Sequence, residues 1–305
     1  MMRFTDFLLI ATVLTGLIWL IDWVFFRAQR KMQVLPERRG VKSTIPEPVL
    51  VEYARAFFPI LLLVLIFRSF IIEPFRIPSG SMHPTLYEGD FIVVDKFSYG
   101  PKLPLFHFKL FNLGSPKRGD VIIFKRLKQE ESMDMIKRVV GLPGDRIQYK
   151  NNRIYINDVP VKQNFEGEVM DKDETGKPIA LVQQYQEFLD SIQHTIFVHV
   201  NRSHDERAFP YNDVVVPPDS YFVMGDNRDN SQDSRSWGFV HDTDILGRAF
   251  GIWMSWDSNQ STVKDWLLHS IRFNRIGLKL NTNTGTDTST SLNTSTSTTA
   301  SHEQK

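Results

Sequence analysis

The sequence predicts a mostly β domain preceded by two membrane-spanning helices. Two observations lead to this fold class: the first 75 residues contain two long apolar runs, and short runs rich in β-branched and aromatic residues recur beyond them. The chain has 305 residues, 42% of them hydrophobic, with 36 Lys+Arg against 35 Asp+Glu. This composition can build a buried core, and its near-balanced charge argues against a dedicated nucleic-acid-binding protein.

The first apolar run covers residues 7–26 and contains one charged side chain, Asp22. It is long enough to cross a ~30 Å hydrocarbon core as a helix, and Trp19 and Trp23 lie towards one end, as in an interfacial belt. A cleaved secretory signal is the alternative. Because only Arg3 precedes the run and no small-x-small site follows it, we expect a membrane helix from about 5 to 26.

The second apolar run starts at Ala56 and continues to Ile72, with Arg68 able to extend its charge towards the headgroups. A buried core helix is the alternative. Basic residues outnumber acidic ones in 27–55, which by the positive-inside rule places this loop in the cytoplasm. We therefore expect a second helix at about 56–74, an anchor spanning 1–75, and the rest of the chain on the outer side of the membrane.

The outer part is predicted to consist of short strands. Asn151-Asn152 is typical of a tight hairpin turn, and helical periodicity is scarce, being best around 179–192. Asp171 opens a segment that only partly matches a calcium loop, so we interpret it as a solvated loop. The predicted strands are 91–94, 121–124, 146–149, 153–156, 195–198 and 221–224.

Changes in polarity divide this outer part. Residues 151–216 are more polar and predict an inserted β subdomain, which leaves 76–150 and 217–280 as the core domain. The tail, 281–305, is rich in Ser and Thr and almost without apolar side chains. Such a segment cannot bury enough apolar surface to offset its ordering entropy, so we expect the tail to be disordered.

The first segment that could carry catalytic residues runs from 77 to 86 and reads IPSGSMHPTL. Prolines stiffen this loop, and Gly80 lets the backbone turn beside Ser81. A serine in such a constrained loop suits a nucleophile with backbone N–H donors nearby. An ordinary Pro/Gly/Ser loop is the alternative. His83 is also close to Ser81, but two residues along a Pro-constrained loop it is poorly placed to take the serine proton.

The second segment, 132–145, is a predicted strand that contains Lys137. Alternation places Lys137 on one face with Met133, Met135 and Val139, and Arg138 on the other. Burial would lower the Lys137 pKa from its ordinary ~10.4 and let a neutral amine accept a serine proton. A lysine reaching out to solvent is the alternative. The third segment, 225–240, predicts an ordered polar network or a solvated loop.

Taken in order, the motifs SGSMxPTL, IKRVVGxPGD and GDNRDNSxDSRxWG resemble those of bacterial type I signal peptidases, also called leader peptidases. The resemblance runs from about 68 to 254. These enzymes are membrane-bound serine proteases that remove amino-terminal signal peptides from exported preproteins. The resemblance implies a β-rich catalytic fold and hydrolysis by a Ser–Lys dyad. It also implies a location in a bacterial inner membrane, crossed more than once, with the catalytic domain on the periplasmic side.

Residue by residue, the resemblance makes Ser81 the nucleophile and Lys137 the general base. Ser79 would donate its hydroxyl to the oxyanion together with the backbone N–H of Ser81, and Ser231 would orient the Lys137 amine. The remaining implied residues form supporting ion pairs or shallow apolar substrate pockets. The pairs are Asp226 with Arg138 and Asp233 with Arg235, and the pocket residues are Ile77, Met82, Leu86, Met135 and Ile136.

The expected partners are secretory preproteins with small-x-small cleavage sites and membrane lipid, with no nucleic acid; the oligomeric state stays open. We expect no cofactor and no metal, since no HExxH motif is present. The absence of cysteine excludes disulfides, thiol nucleophiles and cysteine-ligated zinc. Rival interpretations are an acyltransferase using Ser261 and Lys264, a membrane-tethered scaffold, and a self-cleaving Ser–Lys protease of the repressor type.

Overall fold

A computed structural model of the chain confirms the mostly β fold with two apolar helices. By contacts it divides into two compact units: one comprises the chain up to Glu73 with Asp95–Leu113, and the other Pro74–Val94 with the chain from Gly114 on. The structure describes residues 4–27, 47–70, 72–100, 113–128, 131–173, 176–200, 213–256, 271–280 and 282–283.

The first unit contains the two apolar helices. Helix α1 is Phe4–Ile21 and continues as a π-helical turn, Asp22–Phe26; helix α2 is Val49–Phe70. The rings of Trp19 and Phe58 pack with centroids 5.5 Å apart. By length and composition both helices could cross a membrane.

Helix α2 differs from the predicted 56–74 at both ends. It begins at Val49 because the Pro48 carbonyl already accepts hydrogen bonds from the N–H groups of Val51 and Glu52. It ends at Phe70, and the chain then enters strand β1, Ile72–Arg76. Pro74 has no N–H to continue a helix, which accounts for the early end.

The second unit is built on a seven-stranded sheet with the order β1-β2-β14-β3-β4-β12-β13. Apolar side chains from this sheet and from the chain after β1 form a buried cluster that includes Ile77, Ile92 and Ile123. The strands after β1 are β2 (Asp90–Asp95), β3 (Val121–Lys128), β4 (Glu131–Gly141), β12 (Ser220–Met224), β13 (Val240–His241) and β14 (Ile245–Ser255).

A second sheet has the order β11-β5-β6-β7. The predicted hairpin turn joins β5 to β6, with Asn151 and Asn152 at φ 51° and 61°, the left-handed values that favour Asn. These strands are β5 (Arg146–Lys150), β6 (Arg153–Ile156), β7 (Val159–Pro160) and β11 (Asp213–Val215).

A third sheet has the order β15-β10-β9-β8. The segment with the best helical periodicity, 179–192, is mostly strand β9, because β8 and β10 supply backbone partners along both of its edges. The strands are β8 (Lys162–Lys172), β9 (Pro178–Leu189), β10 (Ile192–His199) and β15 (Thr282–Asn283). A short helix, α3 (Ser234–Trp237), follows β12.

These pairings differ from the predicted boundaries of the inserted subdomain. Strand β5 precedes residue 151 but pairs with β6 and β11 inside 151–216, so a boundary at 151 divides a hairpin. In the predicted disordered tail, Thr282 and Asn283 pair with β10. The rest of the tail lies outside the described residues, as do most of the predicted cytoplasmic loop and the Ser261–Lys264 motif.

Candidate active site

Ser81 lies in a 3₁₀ turn, Gly80–Met82, close to the end of β1, and its residue surface is 8% exposed. Two backbone carbonyls of this turn are held from the loop after β12. The Asn227 backbone N–H donates to the Ser81 carbonyl at 3.1 Å, and the Asn227 amide Nδ2 donates to the Gly80 carbonyl at 3.1 Å. The turn is therefore fixed by a segment that is distant from it in sequence.

Lys137 lies on β4, between β3 and β12 in the sheet, and is 3% exposed. Its Nζ donates to Ser81 Oγ at 2.6 Å and to the Ile136 carbonyl at 2.9 Å. Burial lowers the pKa of Lys137 to about 8, although the charges of Asp233 and Asp226 oppose this shift. A large fraction of the Lys137 side chains is therefore neutral near pH 8, and the amine is within hydrogen-bonding distance of the Ser81 hydroxyl.

Arg138, next to Lys137 on the strand, is paired with Asp226. Its Nε and Nη2 donate to the two carboxylate oxygens at 2.8 and 2.7 Å, and both side chains are almost fully buried. Burial alone would raise the pKa of Asp226, but the Arg138 guanidinium holds it below its usual range. Asp226 also accepts from the Thr85 hydroxyl at 2.5 Å, which attaches the chain after Ser81 to this pair.

A second buried pair joins Asp233 and Arg235 at the start of α3. Arg235 Nε and Nη2 donate to Asp233 at 2.8 and 2.9 Å, and the Gly225 N–H donates to the same carboxylate at 3.1 Å. Burial would raise the pKa of Asp233, but the Arg235 charge lowers it. Arg235 also donates to the Arg228 carbonyl at 2.5 Å. The polar segment 225–240 is thus an ordered network rather than a solvated loop.

The structure arranges the two other predicted serines differently from each other. Ser79 is exposed and in extended conformation, with φ −148°. Among the described residues, Ser231 makes no hydrogen bond to Lys137, whose Nζ contacts Ser81 and Ile136 instead. The predicted orienting bond from Ser231 is therefore not present, and its Oγ lies beside Gly225.

The five predicted pocket residues differ in burial. Ile77, Met82 and Leu86 are at most 2% exposed and belong to the core cluster, so they offer substrate almost no surface. Ile136 is 8% exposed, and Met135 is half-buried. The expectation that all five form shallow substrate pockets is corrected, because all but Met135 are buried in the core cluster.

The structure also brings residues to the site that the sequence analysis did not assign to it: His83, Thr85, Asp171 and Asn227. Asp171 is 2% exposed, not part of a solvated loop, and it accepts from Asn227 Nδ2 at 3.1 Å. Thr85 and Asn227 lie inside the recognised motifs, which could have marked them as site residues. Asp171 lies outside the motifs and could not be recognised, because its partner His83 is 88 residues away in sequence.

The chain resembles known proteins over most of its length. Residues 50–256 match the family model described as signal peptidase, peptidase S26. Similar curated proteins include signal peptidase I of Pseudomonas fluorescens, 41% identical over 91% of this chain and 99% of that protein. Signal peptidase I of Pseudomonas aeruginosa is also 41% identical, over 91% and 99%. That of Buchnera aphidicola subsp. Schizaphis graminum is 36% identical, over 90% and 97%. The chain therefore belongs to the peptidase S26 family of signal peptidases.

Proposed function

We propose that the chain is a membrane-bound serine endopeptidase that cleaves amino-terminal signal peptides from exported preproteins, with Ser81 as nucleophile and Lys137 as general base. The observation that carries this proposal is the 2.6 Å contact between Ser81 Oγ and Lys137 Nζ. Burial of the lysine supports it, since the lowered pKa supplies neutral amine near physiological pH.

The reaction begins when the Ser81 hydroxyl proton moves to the neutral Lys137 amine and Oγ bonds to the scissile carbonyl carbon. The tetrahedral intermediate then collapses, the C–N bond breaks, and the Lys137 ammonium gives its proton to the leaving amine. A water next loses a proton to Lys137 and adds to the ester carbon. Release of Ser81 Oγ, which takes that proton back, completes hydrolysis.

The oxyanion of each intermediate needs hydrogen-bond donors. We assign this role to the Ser79 hydroxyl and the Ser81 backbone N–H, in line with the family resemblance. The exposure of Ser79 supports this assignment, because its hydroxyl is free to reach a substrate. For the substrate, we propose small-x-small endings, with half-buried Met135 contributing to the surface that receives them.

His83 is unsuited to replace Lys137 as the base. Both of its ring nitrogens are occupied: Nδ1 lies 2.9 Å from Asp171 and Nε2 lies 2.8 Å from Glu88. A ring with both nitrogens donating has no lone pair for a serine proton. This contact pattern favours a Ser–Lys dyad over a Ser–His–Asp triad.

The test is cleavage of a secretory precursor by the detergent-solubilised full chain. Ser81→Ala and Lys137→Ala are expected to lower the cleavage rate by at least ~10³-fold, as loss of a nucleophile or its base does. Ser191→Ala and Lys150→Ala, on exposed residues, are the matched controls and should cleave normally. Near-normal cleavage by either dyad variant would refute the proposal, and inhibition by a chelator would indicate a metal enzyme.

The proposed location is a bacterial inner membrane, crossed twice, with the site on the periplasmic side and lipid as a further partner. The two apolar helices and the bacterial relatives support it. Because the chain has no cysteine, Ser43→Cys and Ser301→Cys would each introduce a single reactive thiol. An impermeant maleimide should label Ser301→Cys in intact spheroplasts and Ser43→Cys only after lysis. The opposite pattern would reverse the proposed orientation.

A further inference from the structure

His83 is a fully buried side chain with two carboxylate partners, two residues beyond Ser81. Its Nδ1 lies 2.9 Å from Asp171, and its Nε2 lies 2.8 Å from Glu88. A neutral imidazole carries one N–H, so donation to both carboxylates requires the doubly protonated ring. Burial alone would lower the pKa of His83, but the bonds to Asp171 and Glu88 raise it to about 9.

Asp171 connects this ring back to Ser81. Its second oxygen accepts from Asn227 Nδ2 at 3.1 Å, and that same amide donates to the Gly80 carbonyl at 3.1 Å. The Asn227 backbone N–H holds the Ser81 carbonyl, also at 3.1 Å. These hydrogen bonds form a ring. They connect His83, at the end of the turn, through Asp171 and Asn227 back to the carbonyls of Gly80 and Ser81.

We propose that His83 is a positioning residue whose imidazolium, acting through Asp171 and Asn227, keeps the Ser81 hydroxyl within reach of Lys137. This inference rests on the proposed function, in which Ser81 is the nucleophile. The ring does not touch the reacting atoms. Its charge holds Asp171 in place, Asp171 orients the Asn227 amide, and the amide fixes the backbone that carries the nucleophile.

Several titratable and charged groups lie around His83, and their pKa shifts show which of them changes charge in the alkaline range. Besides Asp171 and Glu88, the Tyr87 ring packs on it with centroids 4.3 Å apart. Arg275 lies 4.5 Å above the Tyr87 ring and is paired with Asp90, which also accepts from Arg272. Burial raises the pKa of Tyr87 above its usual value. Burial would also raise the pKa of Glu88, but its bond to His83 lowers it. His83 is thus the member of this group that loses its charge near pH 9.

Two protonation requirements then act on one reaction. Lys137 must be neutral, which favours pH above about 8, and His83 must be charged, which favours pH below about 9. The rate of cleavage should rise through the first value and fall through the second, giving a narrow bell-shaped profile. A purely structural histidine would not produce the alkaline limb.

The experiment compares pH profiles of kcat and KM for full-length wild type and two variants. His83→Gln should lower kcat at pH 8 about tenfold, within the range that a small misplacement costs, leave KM within about twofold, and remove the alkaline limb. Glu88→Gln keeps an acceptor for Nε2 but removes a charge, so its alkaline limb should move to lower pH. His241→Gln, on an exposed histidine, is the matched control and should retain the wild-type profile.

An alkaline limb that is unchanged in both His83→Gln and Glu88→Gln would overturn the inference. If His83→Gln shows no cooperative unfolding transition, the shift in Glu88→Gln decides alone, since Glu88 is only part-buried. The two proposals fail differently. Activity of Ser81→Ala removes the proposed function, whereas an inactive Ser81→Ala with unaltered His83→Gln and Glu88→Gln profiles removes only the role of His83.

Discussion

Lys137 and Arg138 are adjacent on β4 and both buried, yet Arg138 is paired with Asp226 while no carboxylate within the described parts of the chain lies within ion-pair distance of Lys137. The strand alternates, so the two cations face opposite sides of the sheet. One side provides a counter-ion, and the other provides a hydroxyl and a carbonyl. Burial therefore lowers the pKa of Lys137, while the equally buried Arg138 is paired with a carboxylate.

The acid side of the pH profile follows from Lys137. Its pKa is lowered to about 8, so below that value the amine is mostly protonated and cannot act as the proposed base, and above it the amine is mostly neutral. Single-turnover cleavage should rise about tenfold per pH unit below pH 7, and this rise should end near pH 8, because on the acid side the rate follows the neutral fraction of Lys137. A rate that stays constant between pH 5 and 8 would contradict a lysine base.

Gly225→Ala should disrupt the site without changing a polar group. A Cβ at this position would overlap the Ser81 carbonyl oxygen and the Ser231 side chain. We expect more than a tenfold loss of kcat and a destabilisation of about 1–3 kcal/mol, the usual cost of overpacking. The measurements are precursor cleavage and thermal unfolding.

Gly144→Ala is the matched control for this prediction. Gly144 has φ 88°, and nothing lies near the position of an added Cβ. It should therefore cost stability through backbone strain while leaving kcat near the wild-type value. Equal loss of activity in both variants would show that the Gly225 effect is not specific to the contact with Ser81.

Asp226→Asn should strongly destabilise the fold. The substitution leaves Arg138 buried without its counter-ion, a change that typically costs about 3–5 kcal/mol. Asp213→Asn is the control, because its ion pair with Arg146 is exposed to solvent and its loss should cost far less stability. Denaturant unfolding of both variants gives the comparison, and equal effects would refute the structural importance of the buried pair.

Truncation after Asn283 should leave kcat/KM unchanged. The removed residues are rich in Ser and Thr, and the last described strand pair, β15 with β10, is retained. Truncation after Leu280 removes that pairing as well and should lower the unfolding temperature relative to the longer form. A large loss of activity in the first truncation would assign the tail a role in catalysis.

Local patterns in the sequence were sufficient for much of the fold. Alternating strands and the Asn151-Asn152 turn were predicted correctly because both depend on neighbouring residues. The start of α2 was placed too late, because Glu52 and Arg55 interrupt the apolar pattern while the backbone is already helical. At this position helix propensity and hydropathy disagree: the backbone is helical before the apolar run begins.

The motifs were enough to predict the central residues of the site. The other residues could not be predicted, because tertiary contacts bring them there. The residues flanking Lys137 indicated which strand carries it, but alternation does not reveal that the core covers Ile77, Met82 and Leu86. Asp171 looked like part of a solvated loop because its partner His83 is far away in the chain. A polar residue buried by a distant segment leaves no periodic trace in its own neighbourhood.

The hold of Asn227 on the Gly80–Met82 turn has a consequence for biosynthesis. Ser81 and its turn are synthesised early, but the Asn227 amide that holds the Gly80 carbonyl is translated almost 150 residues later. If Ser81 is the nucleophile, as proposed, a partly synthesised chain carries the attacking hydroxyl before Asn227 is present to fix its turn. Such an order of assembly would delay hydrolysis until the whole β framework has closed, and so protect the newborn enzyme and its neighbours from premature cutting.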